Sequence, residues 1–237
     1  MMQGDESALG VRAIWFDVGE TLIDETREYG TWADWLGVPR HTFSAVFGAV
    51  LARGGDYREV FQHFRAGFDL HTERKARLDV GLGEYVDGHD LYPDARRCLQ
   101  ALRDSSHFVG IAGNQTERAG RFLRELNLPC DVLATSAEWG VEKPGVAFFD
   151  KMAEISGYGR AETAYVGDRL DNDIAPAARA GLFTIWLRRG PWGHILRPGD
   201  SSAVGLPDGA PSMTVANLDE LAAKLTSSSS SDSDGVE

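Results

Sequence analysis

A chain of 237 residues, 43% hydrophobic and 25% charged, has room for one α/β domain with an inserted module and the balance of an ordinary globular protein rather than a disordered one. No apolar run reaches the length of a membrane span. The formal net charge of -12, from 36 acidic against 24 basic residues, opposes docking on nucleic acid.

The opening MMQGDESALG lacks the basic-then-apolar pattern of a signal peptide, so the expected location is the cytoplasm. Cys98 and Cys130 stand far apart outside any CxxC pair, which suggests neither a disulfide framework nor a zinc site. The first buried strand is read at VRAIWFD, residues 11 to 17. From about Asp24 to Leu91 follow WADWLG, HTFSAVFGAVLARGG and YREVFQHFRAGFDL, which read as helices with no convincing strand between them. Further short apolar runs then alternate with amphipathic segments. HFVGIAG (107 to 113), DVLATS (131 to 136), TAYVGD (163 to 168) and LFTIWL (182 to 187) read as strands. DARRCLQALRDS (94 to 105), ERAGRFLRELN (117 to 127) and AFFDKMAEISG (147 to 157) read as helices, the last two ending beside Asn127 and Gly157. NLDELAAKL reads as a closing helix, and SSSSSDSDGVE as a polar low-complexity tail.

This alternation predicts an α/β fold, a Rossmann-like parallel sheet with helices on both faces and an inserted helical module. The expected division is a core of residues 11–23 and 92–225, a helical insertion at 24–91, and flexible termini at 1–10 and 226–237. Ligands of such sheets bind outside the carboxyl ends of the strands, so the strand ends are where chemistry is sought.

Asp17 closes the first strand ahead of VGETL, and Asp168 closes the fourth ahead of RLDND, which adds Asp171 and Asp173. An acidic residue at one strand end is commonly a turn former or helix cap. Several carboxylates converging from two strand ends repel one another, and a hard divalent cation with oxygen ligands relieves that repulsion. Magnesium suits a site that also binds phosphate. Lys143 in VEKPG, if it turns inward, neutralises the same cluster as a point charge.

The segments FDVGETL, VGIAGNQ, VEKPG and YVGDRLDND match, in order and spacing, the four motifs of the haloacid dehalogenase-like (HAD) superfamily. The resemblance runs from about Val11 through Leu225, and the helical stretch after the first motif resembles that family's C1-type cap. It implies a hydrolase, a magnesium-dependent phosphatase acting on a small phosphorylated metabolite through an aspartyl-phosphate intermediate, as a monomer or homodimer. Asp17 is then the nucleophile, Lys143 its electrostatic and phosphate-binding partner, and Thr21 the residue that holds the turn. Asp17, Asp168, Asp173 and the main-chain carbonyl of Gly19 are the metal ligands.

The sequence departs from the family pattern twice. The second motif I aspartate, which protonates the leaving group and later activates water, is Gly19 here. A positioned acid or base contributes about 10² to 10⁴-fold, so turnover falls by that order unless another group substitutes; Glu20 is the adjacent candidate. The motif II hydroxyl falls on Gly113, leaving phosphate binding to Gly113 and Asn114, while Thr116 reads better as a helix N-cap. Two other readings therefore stay open: a weak or silent HAD-fold binding protein, and a HAD hydrolase of dehalogenase or phosphonatase chemistry. The intact GDRLDND run disfavours a dehalogenase, which needs no metal, and Lys75 lies too late in the insertion to serve as the phosphonatase lysine. Trp32, Trp35, Arg40 and Arg65 are candidates to face a substrate, although aromatic residues at helical spacing more often form core.

Overall fold

Strand β1 (Ala13–Phe16) is apolar and buried at every position, and so is β4 (Thr163–Gly167) apart from its first residue, the buried Thr163. Such strands suit the middle of a sheet covered on both faces. A computed structural model describes residues 10–200, 205–206 and 209–227. The described residues form a six-stranded sheet in the order β3-β2-β1-β4-β5-β6, with β2 at Phe108–Gly113, β3 at Val132–Thr135, β5 at Phe183–Leu187 and β6 at Met213–Val215. Every pairing is parallel. The five strands read from the sequence are all present. β6 escapes sequence reading because three residues, MTV, carry too little pattern; β5 and the rest of the fold supply its context.

The chain turns outward from β1 toward β2 on one side and toward β4 on the other. The switch point therefore lies between β1 and β4, where Phe16 pairs with Val166 and the Asp17 amide donates to the Val166 carbonyl at 2.9 Å. Helices α5 (Ala95–Asp104), α6 (Glu117–Glu125), α8 (Val146–Ser156) and α11 (Leu218–Ser227) cover the sheet in the places expected, and a single turn, α7 (Ser136–Trp139), follows β3. Gly157 ends α8 at φ +75°, and Asn127 follows α6 at φ +48°, as stop residues do. Helix α11 runs through residues 226 and 227, the first two positions of the expected flexible terminus. The rest of the expected flexible termini, apart from Gly10, lies outside the described residues.

Between β1 and α5 the chain is helical: α1 (Thr26–Leu36), α2 (Arg40–Ala52), α3 (Glu59–Phe64) and α4 (Leu70–Asp79). YREVFQHFRAGFDL is not one helix. Arg65 is extended, Gly67 takes φ +73°, and the Asp69 carboxylate caps α4 by accepting from the Thr72 amide at 2.8 Å. The apolar faces of α1, α2 and α3 join a cluster that includes Leu170, Ile174 and Trp186 of the sheet domain, so the two regions share buried surface. Phe47 meets Trp192 edge-on at 5.2 Å between ring centres, at the short helix α10 (Gly190–Ile195).

One close approach sets the sheet's interior. A Cβ built on Gly110 would lie 2.2 Å from the ring of Trp15, which is fully buried on the neighbouring strand. Gly110→Ala is therefore expected to lower unfolding free energy by about 1–3 kcal/mol through overpacking. Urea denaturation measures this, and wild-type stability in the variant would contradict the packing described.

Candidate active site

The loops after β1 and β4 bring three of the motif carboxylates together at the switch point between those strands. After Asp17 the chain doubles back: the Leu22 and Ile23 amides both donate to the Val18 carbonyl at 2.9 Å, and the Glu20 amide donates to the Ile23 carbonyl at 2.7 Å. After β4, Asp168 begins a wide helical turn (Leu170–Ile174) that leads into α9 (Ala175–Arg179). That turn drives Asp173 back under the strand end, where Gly167 makes room for it. A Cβ on Gly167 would meet the Asp173 carboxylate at 2.4 Å.

Asp17, Asp168 and Asp173 each offer a carboxylate oxygen within 4.8 Å of the others, and all three residues are buried. The Lys143 ammonium, 3% exposed, lies 2.7 Å from Asp17 Oδ1 and 2.6 Å from Asp173 Oδ1. Burial alone would lower the Lys143 pKa, but the two carboxylates outweigh it and hold the pKa above its usual value. Burial, followed by the repulsion of Asp173 and Asp17, pushes the Asp168 carboxyl well above the carboxylate range. Burial raises Asp173 as well, to about 6, with Lys143 opposing the rise. The Oδ2 atom of Asp168 is buried with no hydrogen-bond partner among the described residues. A buried carboxylate oxygen left bare beside two more carboxylates fits a hard cation in both donor chemistry and charge.

Asn114 lines the cleft with Asp17 and Lys143 and also holds the lysine's backbone. Its amide nitrogen donates to the Lys143 carbonyl and its oxygen accepts from the Lys143 amide, both at 2.8 Å, so the side chain clamps the lysine's backbone. Gly113, at the end of β2, lies against the nucleophile candidate. A Cβ there would meet Asp17 Oδ1 at 2.7 Å, so a serine or threonine would crowd the carboxylate. Thr116 caps α6 by accepting from the Ala119 amide at 3.1 Å. The Thr21 backbone carbonyl accepts from Arg189 at 3.0 Å and so helps fix the turn.

Glu20 does not line the cleft. It is 5% exposed, with φ +50°, and its Oε2 accepts from the Tyr92 hydroxyl at 2.6 Å. Burial raises its pKa despite that bond. Glu25, which sequence reading does not single out, does line the cleft, together with Asp17, Gly19, Lys143 and Asp168. Burial, then the proximity of Glu20 and Asp17, pushes its carboxyl up to about 8. Its signal in the sequence is faint: one more acid in an acidic stretch, GETLIDETRE, six residues beyond the gap at Gly19. The cap candidates fare differently again. Trp32 is core, Trp35 donates to Glu73, Arg40 pairs with Asp34 and Arg65 with Glu73, and none of the four lines this cleft.

Removing the Lys143 ammonium should leave the two buried carboxylates it pairs with uncompensated. Lys143→Met is expected to cost roughly 3–5 kcal/mol of stability, and adding Asp173→Asn should recover part of the loss because the two sites are coupled. A chemical-denaturation double-mutant cycle measures this; strictly additive losses would refute the coupling.

Comparison with known proteins agrees with this geometry. A family model described as haloacid dehalogenase-like hydrolase matches residues 11–181. A glyceraldehyde 3-phosphate phosphatase of Methanopyrus kandleri is 38% identical over 109 residues, an alignment covering 42% of this chain and 44% of that protein. The protein of the same name from Pyrococcus abyssi is 26% identical over 197 residues, covering 76% of this chain and 82% of its own. Among solved structures, the HAD-hydrolase YfnB of Bacillus subtilis, bound to magnesium, superposes with a TM-score of 0.64 at 20% identity, covering 91% of this chain and 98% of that one. At that identity the likeness speaks for the fold. Taken with the motif residues gathered at the switch point, these matches establish that the chain belongs to the haloacid dehalogenase-like hydrolase family.

Proposed function

We propose that the protein is a magnesium-dependent phosphatase of small phosphorylated metabolites, with Asp17 as the group that accepts the phosphoryl. The observation that carries this reading is the buried set of Asp17, Asp168 and Asp173 around Lys143, with a bare oxygen on Asp168. A dehalogenase has no use for the extra carboxylates, and a surface acidic loop would not bury them. The names of the Methanopyrus and Pyrococcus relatives point the same way.

Asp17 and Asp168 would hold the ion, with Asp173 completing its surroundings. When bound, the magnesium supplies positive charge that draws a phosphate group toward Asp17 and lowers its resistance to an anionic nucleophile. Lys143 fixes one oxygen of Asp17 through an ion pair of 2.7 Å. Asn114 holds Lys143 in register. The approach of Asp17 to phosphorus forms an aspartyl phosphate and releases an alcohol, and water then returns Asp17 and inorganic phosphate.

The helices between residues 24 and 91 act in this reading as a C1-type cap over the core of 11–23 and 92–225. Tyr57, Arg58 and Arg74 of that segment line the same cleft as Asp17, so the cap carries cations suited to an anionic substrate. Cap closure would exclude water during the chemistry. No described helix is long and apolar enough to cross a membrane, and Cys98 and Cys130 are free thiols. Both facts agree with the cytoplasmic location proposed for this chain.

A panel of phosphate monoesters tests the reading with purified wild type and Asp17→Asn, each with magnesium and with EDTA. Turnover of at least one monoester is expected in the wild type with magnesium, with loss in Asp17→Asn and in EDTA. Activity that persists in Asp17→Asn, or no turnover of any monoester, would overturn it.

A further inference from the structure

The general acid that the family places two residues after the nucleophile is missing at Gly19, and the space its side chain would take is filled. A Cβ built on Gly19 would lie 2.6 Å from Glu25 Oε1, 2.8 Å from Glu25 Cδ and 3.2 Å from Oε2. The carboxyl of Glu25 thus stands where a side chain at position 19 would begin, delivered from the root of α1 instead of from the motif I loop. We propose that Glu25 is the general acid and base of this active site, a role that rests on the phosphatase reading above.

Three further observations support the assignment. Glu25 lines the cleft that also holds Asp17, Lys143 and Asp168, so its carboxyl reaches the space a substrate enters. Among the described residues no hydrogen bond or ion pair engages that carboxyl, whereas Glu20, the adjacent alternative, is tied to Tyr92. The backbone of Glu25 is held at both ends: its amide faces Glu20 Oε1 at 3.4 Å, and its carbonyl accepts from the Tyr29 amide at 3.0 Å. Glu20 is thereby a positioning residue. It takes a left-handed backbone and a buried carboxylate and sets the start of α1 from which Glu25 projects.

The proton accounting closes. In the first step an oxygen of Asp17 bonds to phosphorus as the P–O bond to the leaving group breaks, and protonated Glu25 gives its proton to that departing oxygen. In the second step Glu25, now a carboxylate, takes a proton from water as the water oxygen attacks phosphorus and the Asp17 carboxylate leaves. The sum is monoester and water to alcohol and phosphate, with Asp17 and Glu25 restored.

The test is rapid-quench kinetics of the full chain with magnesium, using p-nitrophenyl phosphate, whose leaving group needs no proton, and glycerol phosphate, whose alkoxide does. Glu25→Gln should give a stoichiometric burst of nitrophenol followed by steady-state turnover lower by about 10² to 10⁴-fold, because phosphorylation proceeds and hydrolysis lacks its base. With glycerol phosphate the same variant should show neither burst nor turnover. Glu25→Ala combined with Gly19→Asp should turn over faster than Glu25→Ala alone, since the first change vacates the space the second fills. Wild-type rates on glycerol phosphate in Glu25→Gln, loss of the burst in a folded Glu25→Gln, or no gain in the folded double variant would each overturn the assignment. Failure of the phosphatase reading is seen separately: wild type would then turn over neither ester, or Asp17→Asn would keep the wild-type turnover.

Discussion

One buried ammonium holds this site together. Lys143 sits within 2.7 Å of Asp17 and 2.6 Å of Asp173, with Asp168 close by, at the carboxyl ends of the two central strands. Packing three carboxylates in a place shielded from water is unfavourable for all of them, and a single lysine balances only part of that charge. The arrangement therefore has a built-in demand for a second cation, and the bare Oδ2 of Asp168 shows where the demand is greatest. The same demand links folding to the proposed chemistry: the groups that make the site costly to bury are those proposed to hold a metal beside a phosphate.

Glycines make the crowding possible. Gly167 yields space to Asp173, Gly113 to Asp17 and Gly19 to Glu25, with notional Cβ contacts of 2.4, 2.7 and 2.6 Å. Two of these are the positions at which the chain departs from the family's motifs. At both, a carboxylate lies against the space that a side chain would take, Asp17 beside Gly113 and Glu25 beside Gly19. Gly113 gives up a hydroxyl and receives no polar substitute there, since Asn114 is spent on Lys143. Gly19 gives up a carboxylate and has another against it.

The central strands, the helices over the sheet and the four motif segments were legible because each rests on a local pattern: an apolar run, a helical period, or an acid at a strand end. Asp17, Lys143, Asp168 and Asp173 could be located that way because strand order brings strand ends together. Other features depend on contacts distant in sequence and leave no local mark. β6 is three residues whose pairing with β5 decides their structure. The break at Gly67 depends on a left-handed turn and the Asp69 cap within what looks like one apolar period. Glu25 stands in an acidic stretch where nothing distinguishes it from Glu20 or Glu28. Only the return of the chain from the motif I loop into α1 sets its carboxyl against Gly19 and buries that of Glu20 under Tyr92.

The central claim is that Asp17 accepts a phosphoryl group. Its most direct test is to quench the protein during turnover of a phosphate monoester, reduce any acyl phosphate with borohydride, and map the modified residue by peptide mass spectrometry. The account predicts conversion of Asp17 to homoserine, dependent on both substrate and magnesium. Modification at another carboxylate, or turnover without any trapped acyl phosphate on Asp17, would contradict it.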